Sequence, residues 1–207
     1  MDSPARSNSP ESNVRVDSPN STLHTPHDIV DVAGIDEDAI ADGPGLRCTL
    51  FVQGCRHHCP GCHNPQTHEF GIGTKMSVDA LFERITANPI LSGITFSGGD
   101  PMFQPGPLAD LADRLHAHAP YDIAIFTGFT FEALLKIGTP EQRRLLAACD
   151  VLIDGPFVQA QRDRNLRFRG SSNQRILDIR RSLEENAPVW VADPDWIDGD
   201  PVHPAAP

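Results

Sequence analysis

Four short apolar runs recur along the middle of this chain, each closing on a polar loop that carries glycine or cysteine. Arg47 to Gln53 ends at Gly54, Ile94 to Phe96 runs into Ser97-Gly98-Gly99-Asp100-Pro101, Ile123 to Phe126 ends at Thr127-Gly128, and Val151 to Ile153 ends at Asp154-Gly155. Runs of this length, rich in β-branched residues and bounded by turn residues, predict strands. Helical patterns lie between them. Ser77 is a good N-cap for a helix over 78–85, and Leu81, Phe82 and Ile85 fall on one face of it. Pro107 opens a helix that repeats Leu108, Leu111, Ala112 and Leu115, and further helices are predicted at 130–136 and 140–148. Strands that alternate with helices pair in parallel through right-handed crossovers, so the fold class is α/β, a parallel sheet flanked by helices. All four polar loops then fall at the carboxyl ends of strands, the edge of an α/β sheet that binds ligands. They predict a single site.

The first loop reads Cys55-Arg56-His57-His58-Cys59-Pro60-Gly61-Cys62 and holds three of the five cysteines. Thiolates at C-x3-C-x2-C can hold three corners of an iron–sulfur cube and leave one iron open to chemistry. The same thiolates, completed by His57, His58, His63 or His68, would make a tetrahedral zinc site, and spacing leaves both readings open. A disulfide framework fits worst: the cysteine count is odd and no apolar signal segment opens the chain. Cys48, along a strand, and Cys149, after Leu145-Leu146-Ala147-Ala148, read as small buried hydrophobes. Gly98-Gly99 lets backbone come close to a ligand, and Asp100 offers a carboxylate to a cationic group such as an amine.

At 207 residues the chain is one domain with room for tails. Residues 1–27 hold six Ser, four Pro and three Asn with few large apolar groups, so this segment is expected to be disordered. The folded unit is expected over 28–183. Beyond it, 184–207 carries six acidic residues and no Lys or Arg, and is expected to be a loose, Pro-rich acidic tail whose Trp190 and Trp196 could dock on the body. Net charge is −11, no basic face stands out for nucleic acid, and no apolar run approaches a membrane span of about 20 residues. The expectation is a soluble cytoplasmic protein.

Several motifs, in order, resemble a known family. The three cysteines with Ser97-Gly98-Gly99-Asp100-Pro101 resemble the radical S-adenosylmethionine superfamily, and Asp42-Gly43-Pro44-Gly45-x-Arg47 resembles its glycyl-radical activating enzymes. Cys59-Pro60-Gly61-Cys62-His63-Asn64 and Phe168-Arg169-Gly170-Ser171-Ser172-Asn173-Gln174-Arg175 are similar to the branch that activates anaerobic ribonucleoside-triphosphate reductase. The resemblance covers roughly residues 28–180. It implies a shortened, open (β/α) barrel of the radical type. It also implies that Cys55, Cys59 and Cys62 hold a catalytic [4Fe-4S] cluster whose open iron takes S-adenosylmethionine. Gly61, Cys62 and His63 would line that ligand, and Gly98, Gly99 and Asp100 would bind its methionine part. The activity implied is one-electron cleavage of the sulfonium to methionine and a 5′-deoxyadenosyl radical, which takes hydrogen from a glycine of the reductase. A low-potential donor such as flavodoxin or ferredoxin would supply the electron. Arg169 and Asn173 read either as ordinary turn residues or, since their motif resembles the reductase-activating branch, as residues that dock the reductase or close the rim over bound ligand. Asp154 is divided between a strand-end turn and a rim ligand. Two other functions stay open on the residues alone: a radical enzyme with a different substrate, and a non-catalytic zinc-stabilised binding module.

Overall fold

The computed structural model describes residues 28–197, 199 and 200; the N-terminal tail expected over 1–27 and the last residues, 201–207, lie outside the described part. Seven strands form one sheet: β1 (Ile29–Ala39), β2 (Arg47–Val52), β3 (Thr74–Ser77), β4 (Gly93–Gly98), β5 (Asp122–Phe126), β6 (Val151–Asp154) and β7 (Arg175–Asp178). Their order is β3-β1-β2-β4-β5-β6-β7. The four strands predicted from the apolar runs are its centre, and β2, β4, β5 and β6 pair in parallel. The rims differ from the expectation of parallel pairing, because β1 runs antiparallel to both β2 and β3, and β7 runs antiparallel to β6. Residues 40–46 between β1 and β2 are too few for a crossover helix, which forces the antiparallel return. The result is an open mixed sheet with β3 and β7 at its edges, in place of a wholly parallel one.

Helices α1 (Val78–Thr86), α2 (Pro105–His118), α3 (Phe131–Ile137), α4 (Pro140–Ala147) and α5 (Ile179–Glu185) pack against one another and onto the sheet. Ser77 caps α1 by accepting from the Ala80 N–H at 3.1 Å, and Thr139 and Gln142 cap α4 reciprocally. Strand side chains alternate between faces, so Ile123, Ile125, Leu152 and Leu177 meet the helices. Ala124, Val151, Ile153 and Ile176 point to the opposite face, where Val191 and Trp196 cover them. No helix among the described residues is long and apolar enough to cross a membrane.

One buried cation on this second face ties the central strands together. Arg47 is 1% exposed, with its Nε donating to Thr95 Oγ1 at 2.8 Å and its Nη2 donating to the carbonyls of Ile94 at 2.7 Å and Asp122 at 2.9 Å. Its guanidinium lies 5.4 Å from the centre of the Trp196 ring. Trp196 sits in a short helix, α6 (Pro194–Ile197), within the segment expected as the acidic tail. Ahead of it the backbone at 189–191 adds to the edge of β7: Asp178 N–H donates to Val189 O at 2.9 Å, and Val191 N–H to Ile176 O at 3.0 Å. A boundary at 183 falls inside α5, and the chain beyond it seals one face of the sheet.

Truncating a fully buried tryptophan leaves a large cavity, so Trp196→Ala should cost about 3–5 kcal/mol in urea denaturation. A loss below about 1 kcal/mol, the range of ordinary surface substitutions, would instead make the segment a detachable tail.

Candidate functional site

The cysteine loop is an excursion from the end of β2 that is clamped at its base. Gly54 N–H donates to Thr67 O at 2.8 Å and Cys55 N–H to His68 O at 3.0 Å. The Gln53 amide closes the clamp by donating to Gln66 O at 3.3 Å and Glu69 O at 2.6 Å. Within the loop, Cys62 N–H returns to Cys59 O at 3.1 Å, and Asn64 N–H donates to Cys62 Sγ at 3.4 Å. Cys55 is buried, whereas Cys59 and Cys62 are half-buried. Gly61 has φ +75°, a backbone that side chains rarely adopt, and an added Cβ would lie 3.0 Å from the Gln159 side chain.

The Ser97–Asp100 loop is stitched to this base. Gly99 N–H donates to Val52 O at 2.8 Å and Asp100 N–H to Gly54 O at 3.0 Å. A Cβ on Gly99 would come within 2.4 Å of the Gly54 carbonyl oxygen, and one on Gly98 within 2.5 Å of Val52 N. The glycines are therefore required by contact with the strand that launches the cysteine loop, beyond any approach of a ligand.

Asp100 does something other than wait for a cation. It is 1% exposed, and its Oδ1 accepts from Met102 N–H at 2.9 Å. Its Oδ2 accepts from Thr127 Oγ1 at 2.9 Å and Gly128 N–H at 3.0 Å, and meets His57 Nε2 at 2.7 Å. The carboxylate thus binds three rim loops together, with its oxygens engaged inside the protein, so the expected contact with a ligand amine is corrected. His57 is held there by an edge-on contact with Phe129, ring centres 4.7 Å apart, and Gly128 must lack a side chain because a Cβ would lie 2.5 Å from the His57 ring. This fixes the orientation of the His57 ring, which also lines the cavity.

The remaining wall comes from the loop between β6 and β7. Gln174 holds it: its Oε1 accepts from Gly170 N–H at 2.9 Å and Ser171 N–H at 3.2 Å, and its Nε2 donates to Gly155 O at 3.1 Å. His63 lies against Phe157 with ring centres 5.0 Å apart, and Gly170 faces both rings. Asp154 is a structural residue, accepting from Phe131 N–H at 2.8 Å and from Arg175. Arg175 also pairs with Glu132, and that contact holds the Glu132 carboxyl down to about 2.

Arg169 departs most from its docking role. Its side chain is 0% exposed, paired with Asp200 at 2.5 Å, donating to Gln174 O and lying 5.4 Å from the Trp190 ring centre. No partner can reach it. Asn173 donates to Pro156 O at 2.8 Å and ties the two limbs of its loop together. Nothing local in a run of Gly, Ser and Asn reveals a partner for Arg169 that lies 31 residues further on.

These loops enclose a cavity of about 370 Å³, within the range of small-ligand sites. Its lining brings together Cys55, Cys59, Cys62, His63, Gly98 and Gly99, whereas Gly61 and Asp100 are not part of it. Asp42, Phe51, Phe126, Gly155 and Gln174 also line it; position at the ends of β2, β5 and β6 was the available signal for Phe51, Phe126 and Gly155. Burial raises the Asp42 carboxyl and pushes the Cys55 and Cys59 thiols up. Three thiols on one clamped loop, opening on a cavity, fit a cluster that displaces their protons. Cys48 and Cys149 lie in the core, where burial lifts the Cys48 thiol to about 12 and Cys149 well above its ordinary value.

Residues 41–177 match a family model described as a 4Fe-4S single cluster domain. The anaerobic ribonucleoside-triphosphate reductase-activating protein of Salmonella typhi is 41% identical over 149 residues, 68% of this chain and 94% of that one. Its namesake from Escherichia coli K12 is 40% identical over the same coverage. That of enterobacteria phage T4 is 33% identical over 65% of this chain and 85% of its own length. Among solved structures, QueE from Escherichia coli aligns with a TM-score of 0.42 at 17% identity over 49% of this chain and 54% of that one. With sequence identity of this order along nearly the full length of the relatives, the chain belongs to the anaerobic ribonucleoside-triphosphate reductase-activating protein family.

Proposed function

We propose that this chain activates an anaerobic ribonucleoside-triphosphate reductase by generating a glycyl radical on it, with Cys55, Cys59 and Cys62 holding a [4Fe-4S] cluster and S-adenosylmethionine seated beside it. The observation that carries the reading is the meeting of the three thiols with Gly98, Gly99 and His63 around one cavity. When bound, the cluster and S-adenosylmethionine supply reductive cleavage of a sulfonium and a carbon radical able to take hydrogen from a glycine Cα. A low-potential flavodoxin or ferredoxin supplies the electron, and the reducing cytoplasm keeps the thiols free.

The chain's residues bind, aim and shield. Ser97, Gly98 and Gly99 offer backbone and little side chain to the amine-bearing end of a ligand. The His63 and Phe157 rings form a wall suited to a flat base. Asn64 N–H, directed at Cys62 Sγ, places a dipole beside one ligating sulfur, which is one way a protein tunes a cluster's potential. Asp100 and His57 keep the loops in register around that space. A cavity lined by loops at the rim of the sheet suits a substrate that is itself a segment of another protein.

The reading is tested by reconstituting the chain anaerobically with iron and sulfide, reducing it with dithionite, and adding S-adenosylmethionine and the reductase. A glycyl doublet on the reductase, seen by electron paramagnetic resonance and matched by methionine release, is the expected result. A colourless zinc protein giving neither would end it.

Cys55→Ala, Cys59→Ala and Cys62→Ala should each abolish the brown chromophore, while Cys48→Ala and Cys149→Ala keep it. An intact cluster spectrum in Cys59→Ala would overturn the ligand assignment.

Asp100→Ala leaves four donors without their acceptor. Unpaired buried donors each cost on the order of 1–3 kcal/mol, so the variant should lose thermal stability together with S-adenosylmethionine binding. Full stability with binding abolished would mean that the carboxylate contacts the ligand directly.

A further inference from the structure

The burial of Arg169 leaves the surface that meets the reductase unassigned, and the same loop offers other cations. Gln159 to Arg169 holds four arginines against one aspartate, in a chain of net charge −11. Many cations elsewhere among the described residues are paired, Arg84 with Glu37, Arg114 with Asp79, Arg144 with Asp110 and Asp113, and Lys75 with Asp31, whereas Arg56 lies over the Phe70 ring and Arg143 donates to the Gly138 carbonyl. Arg162 and Arg164 are exposed and make no ion pair among the described residues. The one acid between them is engaged otherwise, since Asp163 Oδ1 accepts from the Asn165 backbone at 2.9 Å and its side-chain amide at 3.0 Å.

Their position relates them to the site. Arg162 forms a β-bridge with Ser171, and Ser172 N–H donates to Gln161 O at 2.9 Å. Ser171 is the neighbour of Gly170, which lines the cavity, and Gln159 packs against Gly61 of the cysteine loop. The backbone at Arg162 therefore lies one strand spacing from a residue adjoining the cavity wall, with Arg164 two positions further along the chain. An acidic molecule repels acidic partners over most of its surface, and a local excess of cations both admits such a partner and sets its orientation.

We propose that Arg162 and Arg164 form a docking patch for an acidic segment of the reductase lying beside its target glycine. This rests on the reading of function above. Docking there seats the partner against the loop that borders the cavity and brings its glycine to the mouth.

The test uses the reconstituted holoenzyme carrying Arg162→Glu and Arg164→Glu together, with Arg162→Gln and Arg164→Gln as a milder pair. Glycyl-radical formation is followed against reductase concentration at low and high salt, beside uncoupled cleavage of S-adenosylmethionine with dithionite. The charge-reversed variant should need about tenfold more reductase for half-maximal activation at low salt, reach the same yield at saturation, and lose most of the salt dependence of the unaltered protein. Its cluster spectrum and uncoupled cleavage should be unchanged. An unaltered reductase requirement or salt slope overturns the proposal while leaving the proposed function in place. Loss of uncoupled cleavage overturns it by putting the arginines at the cofactor. A defect seen only with a flavodoxin donor, and absent with dithionite, overturns it by giving the patch to the electron donor. Failure of the unaltered protein to cleave S-adenosylmethionine would count against the function itself.

Discussion

One carboxylate sets the register of the site. Asp100 receives hydrogen bonds from its own loop, from the loop after β5 and from the histidine between two cysteines. Each partner lies in a segment launched by a different strand, so the parallel order of β2, β4 and β5 is what brings the donors within reach. At 1% exposure the group is shielded from water, which strengthens each bond and makes the loss of any one expensive. The cavity is shaped by this buried knot, and its visible lining depends on a residue standing behind it.

A second constraint acts from the far side of the sheet. Arg47 links β2, β4 and β5 through its hydrogen bonds and carries Trp196 on its face. Asp122 shares both, because its Oδ2 meets Arg47 Nη1 at 3.4 Å and accepts from Trp196 Nε1 at 3.3 Å. Burial lowers the guanidinium's hold on its proton and Asp122 opposes that effect, so the pair supports the cationic state that all these acceptors need. The C-terminal segment therefore packs as part of the domain, and its Asp200 secures the Arg169 loop.

The central strands and most helices were legible because hydrophobic period and turn chemistry are local. Strand β1 was not, since its outer half, Asp36-Glu37-Asp38, is polar and exposed, and its pairing depends on β2 and β3. Strand β7 is four residues long and passes straight into α5 at Asp178, so no turn punctuates it. The cysteine loop and Gly98-Gly99 were visible from spacing and composition. The roles of Asp100 and Arg169 were not, because each is decided by partners distant in sequence. A carboxylate after Gly-Gly reads as a ligand until its donors on other strands are known, and an arginine among Gly, Ser and Asn reads as exposed until Asp200 is found beneath it.

The glycines at 99, 128 and 170 face Gly54, His57 and the His63–Phe157 pair at distances that leave no room for a methyl group. Alanine is the smallest step any of these codons could take, and even that step would push on a neighbouring loop. The rim thus has few neutral neighbours in sequence space, and drift at one loop must await compensation in another. Exposed positions such as Ser172 face no such restriction, so inherited variation in this lineage should collect on the outer loops while the inner ring stays fixed.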